Sequence, residues 1–349
     1  VNGQSLWWPV LARNKKSITL NLREKEGQDI LRRLIEQADI LVENFRPGTL
    51  EKWGLDYASL SAVNPKLIMV RVSGFGQTGP YAPRAGYGSI GEAMGGLRHI
   101  VGEADRPPSR VGISIGDSLA ATHATLGALA ALRAREVSGR GQVVDCAIYE
   151  AVLTMMESTV TEYYKTGYVR ERTGSRLPNI APSNVYPTAD GEILIAANQD
   201  TVFRRLCEVM GREEWIDDPR YRDHVSRGQN EVELDEKIGA WSVNFSSSDL
   251  LTTAKHDEGA CLPAKSLRQR TCWKMLTLKQ ERRLSPMSTP GSESWLCKTC
   301  FQSSPPRPAR CAALPQSWAN IMRRSMPTGW GSVMLSSSSL RKGGFYEPY

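Results

Sequence analysis

The chain lacks any uninterrupted apolar run near the ~18 residues that a membrane-spanning helix needs, and it lacks the cysteine density of a disulfide-stapled secreted domain. The first absence removes a helical membrane span from the expected architecture. The second, with an odd count of seven cysteines in 349 residues, points to a reducing compartment: the cytoplasm, or a mitochondrion in a eukaryote. The glycine-rich stretch 73–80 is not followed by Gly-Lys-Ser/Thr, so it is no Walker loop. Methionine is missing from the first position, which is Val1, and the expectation is that a native N-terminal segment, with any targeting peptide, precedes it.

What is present is the balance of a globular protein, 40% hydrophobic and 23% charged, at a length that suggests two domains. The net charge of +7 is unevenly placed. Residues 259–349 hold 14 Lys and Arg against 3 Asp and Glu, whereas the preceding residues hold 30 against 34. A basic tail of this kind suggests nucleic acid or an anionic surface. That non-enzymatic reading rests wholly on the tail.

Along the chain, 17–22 alternates like a strand, 24–38 has helical spacing, and 39–44 is a short strand. A short helix over 47–54 follows, with Pro47 at its start, and then the almost continuously apolar strand 67–72. Strand, helix, strand, helix, strand predicts an α/β protein with an open, doubly wound, Rossmann-like parallel sheet. The last of these strands runs into the loop 73–80, placed where ligands bind in such sheets. A small-residue helix is predicted over 88–96, a strand over 143–148 and a helix over 149–165. A Gly/Arg/Pro-rich linker at 170–182 precedes a hairpin at 184–197, turning at Asp190-Gly191, and helices over 201–210 and 231–245. The expected domains are therefore 1–178, a large α/β unit, and 179–258, a smaller α+β unit.

The stretch 111–120 precedes a helix, 119–132, that is apolar almost all round and reads as buried. Gly116 permits a sharp turn, and Asp117 and Ser118 are good N-cap types. The dipole of such a helix favours an ionised carboxylate by about 0.3–1 kcal/mol. From these residues alone, Asp117 is either a helix cap or a carboxylate held ready for chemistry.

Five stretches bear on that choice: Arg13-Asn-Lys-Lys-Ser-Ile18, Val42-Glu-Asn-Phe-Arg-Pro-Gly48, Gly74-Phe-Gly-Gln-Thr-Gly-Pro80, Gly116-Asp-Ser118 and Ser138-Gly-Arg-Gly-Gln142. In this order and spacing, over about residues 5–258, they resemble the class III CoA-transferase family, the CaiB/BaiF type. The look is most similar to its succinyl-CoA:glutarate branch. The resemblance implies that Asp117 is the catalytic nucleophile, attacking an acyl-CoA thioester to form an aspartyl anhydride and then an aspartyl-CoA thioester. It also implies CoA contacts at Leu20, Asn21, Leu22, Arg23, Asn44, Phe45, Arg46, Lys52, Arg84, Ala85, Gly86 and Tyr87. Arg23, Arg46, Lys52 and Arg84 suit a ligand with three phosphate groups. CoA enters as substrate; no resident cofactor and no metal are implied. The donor expected is succinyl-CoA and the acceptor a C5 or C6 dicarboxylate such as glutarate. Interlocked homodimers, with no nucleic acid and no membrane partner, are the assembly implied.

Related α-methylacyl-CoA racemases have a His base where this chain has Tyr87, a poor base with an ordinary pKa near 10. A dinucleotide-dependent enzyme is a further rival, for which the glycine fingerprint is expected to be missing. From Gly259 the texture changes: five of the seven cysteines, Ser/Pro-rich runs and no Asp. Cys272, Cys297, Cys300, Cys311 and His256 fit no standard zinc spacing. Shifting Cys272-Trp-Lys-Met275 by one nucleotide reads Met/Leu/Val-Leu-Glu-Asp/Asn, close to a run expected of the family at that distance. Residues 259–349 are therefore expected to be a shifted reading frame or a disordered basic tail. The head is also expected to lack a βαβ unit, so that the chain is a transferase fragment with its own activity in question.

Overall fold

The computed structural model describes residue 3, residues 5–12 and 14–256, and the short strands 262–264, 284–287 and 295–298. The expectations about the tail, its cysteines and its reading frame fall almost wholly outside the described residues, as does Arg13. By contacts the chain divides into two compact units. The first takes in 1–99 and 111–169; the second takes in 100–110 and resumes at Arg170. The second unit is thus discontinuous, unlike the continuous split at 178/179. Two hydrogen bonds explain the excursion: the Gly174 N–H donates to the Gly102 carbonyl at 3.0 Å, and the Arg172 side chain, through Nε, to the Glu103 carbonyl at 3.2 Å.

In chain order the first unit contains α1 (Trp7–Leu11), α2 (Lys25–Ile35), β1 (Ile40–Glu43), α3 (Thr49–Lys52), α4 (Tyr57–Val63) and β2 (Ile68–Ser73). It continues with α5 (Gly88–Met94), α6 (Leu97–Ile100, reaching the boundary), α7 (Ile115–Ser138), β3 (Val143–Ala147), α8 (Ile148–Leu153) and α9 (Thr159–Thr166). The three strands are parallel in the order β1-β2-β3. Alternation along the central strand decides the layers. Ile68 and Val70 pack with Ile40 against Ala120, Ala124, Ala128 and Ala131 of α7. Met69 packs to the other side with Ile35, Leu50, Leu55 and Leu60. This is the parallel sheet, covered on both faces, that the sequence pattern predicts.

Three expectations need correction. Residues 15–21 form no strand, and Ile18 is exposed. The long helix is not buried all round: small residues at positions 116, 120, 124, 128 and 131 make one buried stripe, while Leu126 and Leu129 are more than half exposed. The helix expected over 149–165 is two helices, α8 and α9, separated by the segment 154–158. The sequence reading also overlooked α4, whose N-cap Asp56 accepts the Ser59 N–H at 3.0 Å and its hydroxyl at 2.8 Å.

The second unit holds an antiparallel sheet of β4 (Ser183–Thr188), β5 (Gly191–Ala196) and β6 (Leu262–Ala264), in that order. Around it lie α10 (Asp200–Met210), α11 (His224–Gln229), α12 (Glu231–Ser242) and α13 (Ser247–His256). Tyr186, Ile193, Ile195, Phe203, Leu206, Tyr221, Leu234 and Ile238 form its core. Arg227 is wholly buried there, satisfied by the carbonyls of Ala181, Tyr221 and Asn198 and by the Asp200 carboxylate. β7 (Leu284–Met287) and β8 (Trp295–Lys298) pair antiparallel. No described helix is long and apolar enough to cross a membrane.

Candidate active site

The carboxyl edge of the parallel sheet gathers the sites named from the sequence. β1 ends into Asn44, β2 into Gly74 and β3 into Ile148. Both α2 and α7 lead into strands through short turns and run back across the sheet, so their N-termini lie at that same edge. Leu20–Arg23 enter α2; Asp117 lies in the first turn of α7.

Asp117 is not the N-cap. Ser114 holds that position, and Asp117 is the third helical residue, with Ser118 Oγ donating back to the Ser114 carbonyl at 2.8 Å. Its carboxylate is exposed and lies directly on Gly88, the first residue of α5. A Cβ on Gly88 would stand 2.4 Å from Asp117 Oδ2 and 2.8 Å from its Cγ and Oδ1, so only glycine leaves the carboxylate where it is. Gly116 is buried against the Gly88 carbonyl, Ile148 and Glu92. Glu92 is fully buried, with Oε2 3.4 Å from Arg98 Nε and Oε1 without a partner.

From Gly88 the contacts pass to the glycine-rich loop. Gly86 packs on Gly74 so closely that a Cβ on Gly74 would lie 2.5 Å from the Gly86 Cα. Asp145 on β3 accepts the Gln77 N–H at 2.8 Å and so fixes the far side of the loop. Phe75 packs against Tyr81 and Tyr149, and the Arg84 guanidinium stacks on the Tyr81 ring at 4.2 Å. Gly74, Gly76 and Gly79 do stand at G-x-G-x-x-G spacing, contrary to the expectation that this spacing is missing. What separates the loop from a dinucleotide fingerprint is Pro80 and the next helix, which starts only at Gly88.

The segment Asn44–Arg46 is held from beneath. Glu43 accepts from Arg71 Nε at 2.6 Å and from the Phe45 N–H at 2.8 Å, while Phe45 packs edge-on against Trp53. Arg71 also reaches Glu51 on α3, next to Lys52. Burial alone would lower the Arg71 pKa, but the bonds from Glu51 and Glu43 outweigh it and raise it; the Arg71 bond likewise lowers that of Glu51. Leu22 packs into the core beside Ile35, and Asn21 Oδ1 accepts the Arg23 N–H at 3.1 Å. Arg23, Arg46, Lys52 and Arg84 are all exposed, as are Asp117 and Tyr87. The structure therefore joins residues 84–87 to Asp117 through Gly88, and brings 20–23, 44–46 and 52 to the same sheet edge. Among the described residues no cluster of three His, Cys, Asp or Glu is arranged to hold a metal. Gly88, Asp145 and Arg71 escaped the sequence reading, since their roles lie in contacts with residues far along the chain.

The family model for CoA-transferase family III matches residues 1–293. The chain belongs to that family. It is 61% identical, over 249 residues, to a succinyl-CoA–D-citramalate CoA-transferase of Chloroflexus aurantiacus, covering 71% of this chain and 62% of the relative. It is 36% identical, over 268 residues, to a succinate–glutarate CoA-transferase of Agrobacterium fabrum, covering 77% and 67%. The family III chain thus spans 62% of the length of the Chloroflexus relative. A CaiB/BaiF family protein from Brucella suis superposes with a TM-score of 0.70 at 30% identity, covering 89% of this chain and 82% of that one. A Mycobacterium tuberculosis protein shares the fold at a TM-score of 0.74 and 23% identity, covering 86% of this chain and 79% of that one.

Proposed function

We propose that this chain carries the nucleophile and the CoA-binding edge of a transferase that moves CoA from succinyl-CoA to a dicarboxylate. The observation that carries this reading is the Asp117 carboxylate, exposed at the sheet's carboxyl edge and lying on a glycine. An Asp117 oxygen attacks the thioester carbonyl; the C–S bond breaks, and CoA leaves as the thiolate from a mixed anhydride. The thiolate then attacks the aspartyl carbonyl, releasing succinate and leaving an Asp117–CoA thioester. The acceptor carboxylate attacks that thioester, and the returning thiolate takes the acceptor acyl group, restoring the Asp117 carboxylate. A carboxylate nucleophile divides one acyl exchange into easier steps and conserves the thioester energy.

Position within the first turn of a 24-residue helix favours the charged carboxylate by about 0.3–1 kcal/mol. The exposed cations Arg23, Arg46, Lys52 and Arg84 supply charge for the CoA phosphates. The 61% identity to a D-citramalate enzyme favours a C5 dicarboxylate acceptor of citramalate or glutarate type. The partner in this reading is a second copy of the chain. The test is trapping: incubation with succinyl-CoA should give a mass adduct on the peptide bearing Asp117, and Asp117→Ala should lose both adduct and transfer. An adduct elsewhere, with Asp117→Ala active, removes the mechanism.

A further inference from the structure

Arg71 is a cation almost removed from water: its side chain is 9% exposed, and that of Glu43 3%. Such a group persists only where its donors are matched. Arg71 on β2 stands in register with Glu43 on β1. Its Nε donates to Glu43 Oε1 at 2.6 Å, while Nη1 and Nη2 reach Glu51 Oε1 and Oε2 at 2.7 and 3.3 Å. The second oxygen of Glu43 accepts the Phe45 N–H at 2.8 Å. One guanidinium therefore ties β1's carboxyl end, through Glu43 the Phe45 backbone of the Asn44–Arg46 segment, and α3, the helix that ends at Lys52.

We propose that Arg71 is a positioning residue for CoA binding, holding the Asn44–Arg46 loop through Glu43 and Lys52's helix through Glu51. The proposal rests on the reading that this edge binds CoA. Arg71 touches no substrate in it. A planar fork is required because two carboxylates on different elements must be met at once; a lysine presents a single point charge and reaches one. Without the guanidinium, Glu43 is a buried carboxylate with no counter-charge, and the acceptor that fixes the Phe45 N–H is no longer held.

The test uses the whole chain with CoA alone as the probe, measured by titration calorimetry, and amide hydrogen exchange over 44–52. Arg71→Lys is expected to weaken CoA binding about tenfold, as expected when a loop that Arg71 had held in place must instead be ordered on binding. Exchange at Phe45 should accelerate, and adduct formation at Asp117 under saturating succinyl-CoA should stay within about threefold of the parent chain. The loss thus appears in KM for the CoA ester and not in KM for the acceptor. Glu51→Gln, at a side chain 41% exposed, keeps the Arg71–Glu43 pair and guards against loss of folding. It should accelerate exchange over 49–52 and leave Phe45 protected.

A folded Arg71→Lys chain with unchanged CoA affinity and unchanged exchange overturns the proposal, as does an equal rise in both KM values. Should Arg71→Lys not fold, an unaltered exchange pattern and CoA affinity in Glu51→Gln overturns it. Failure of the unsubstituted chain to bind CoA defeats the reading of the edge instead, and the exchange data then report separately whether Arg71 holds the loop.

Discussion

Replacing Gly88 by alanine probes the candidate nucleophile without altering it. The added methyl would sit 2.4 Å from Asp117 Oδ2, and ordinary contact begins at 3.4 Å, so the carboxylate must retreat by about 1 Å. Gly88 does not have a positive φ, so the backbone accepts alanine and the effect is steric. Asp117 is exposed and turns aside, which puts the stability cost at the low end of overpacking, about 1 kcal/mol, or about 2–4 °C in melting temperature. Catalysis is less forgiving, because a misplacement of about 1 Å at a reacting atom costs about 100-fold. The assay is CoA transfer from succinyl-CoA to citramalate and glutarate, with CoA binding measured alongside by calorimetry. The expected result is a loss of about 100-fold in kcat with CoA affinity kept within about threefold. Gly91→Ala serves as the steric control, since its Cβ would meet Ile148 Cγ2 at 2.4 Å and so costs stability. Transfer by Gly88→Ala at the parent kcat/KM would refute the placement of the carboxylate on Gly88 as the reacting geometry.

Two further outcomes follow from the described contacts. Asp56→Ala removes the α4 cap and should lower stability at pH 7 by about 1 kcal/mol, read by urea unfolding. The Ser59 N–H, then its hydroxyl, holds the Asp56 pKa below the usual carboxylate range. That stabilisation is complete above the unfolded pKa of about 3.9 and fades as pH falls through the lower folded value. A gap between the two chains that widens as pH drops below about 4 would contradict this sign. Cys146 is pushed up to about 11, first by burial and then by the Asp145 and Glu150 charges, so it stays a thiol at pH 8. It should resist a thiol reagent in the native chain and react on unfolding; prompt native labelling would show the burial to be wrong.

Periodicity alone was enough for the parallel strands near 40 and 68, because a strand covered on both faces must be apolar at successive residues. It was also enough for the hairpin at Asp190-Gly191, whose local turn chemistry needs no distant partner. The strand expected at 17–22 failed for the opposite reason: alternation is necessary for an edge strand but does not supply a neighbour. Order and spacing of motifs pointed to Asp117 and the loops around it, since those residues are close to landmarks in the chain.

Contacts across long separations were illegible. Gly88 against Asp117, Asp145 under Gln77, and Arg71 between Glu43 and Glu51 span 20 to 68 residues, and nothing in local pattern records which charges share a buried space. The status of Asp117 shows the division. By itself the sequence determined that a carboxylate stands near the start of a helix whose dipole favours its charge. Only the tertiary structure decided that Ser114, and not Asp117, takes the cap, and that a bare glycine from another helix lies under the carboxylate. Ser114, Asp117 and Ser118 are all good N-cap types, so the choice among them waits on where the fold starts the helix, and room for a nucleophile depends on what the fold packs against it.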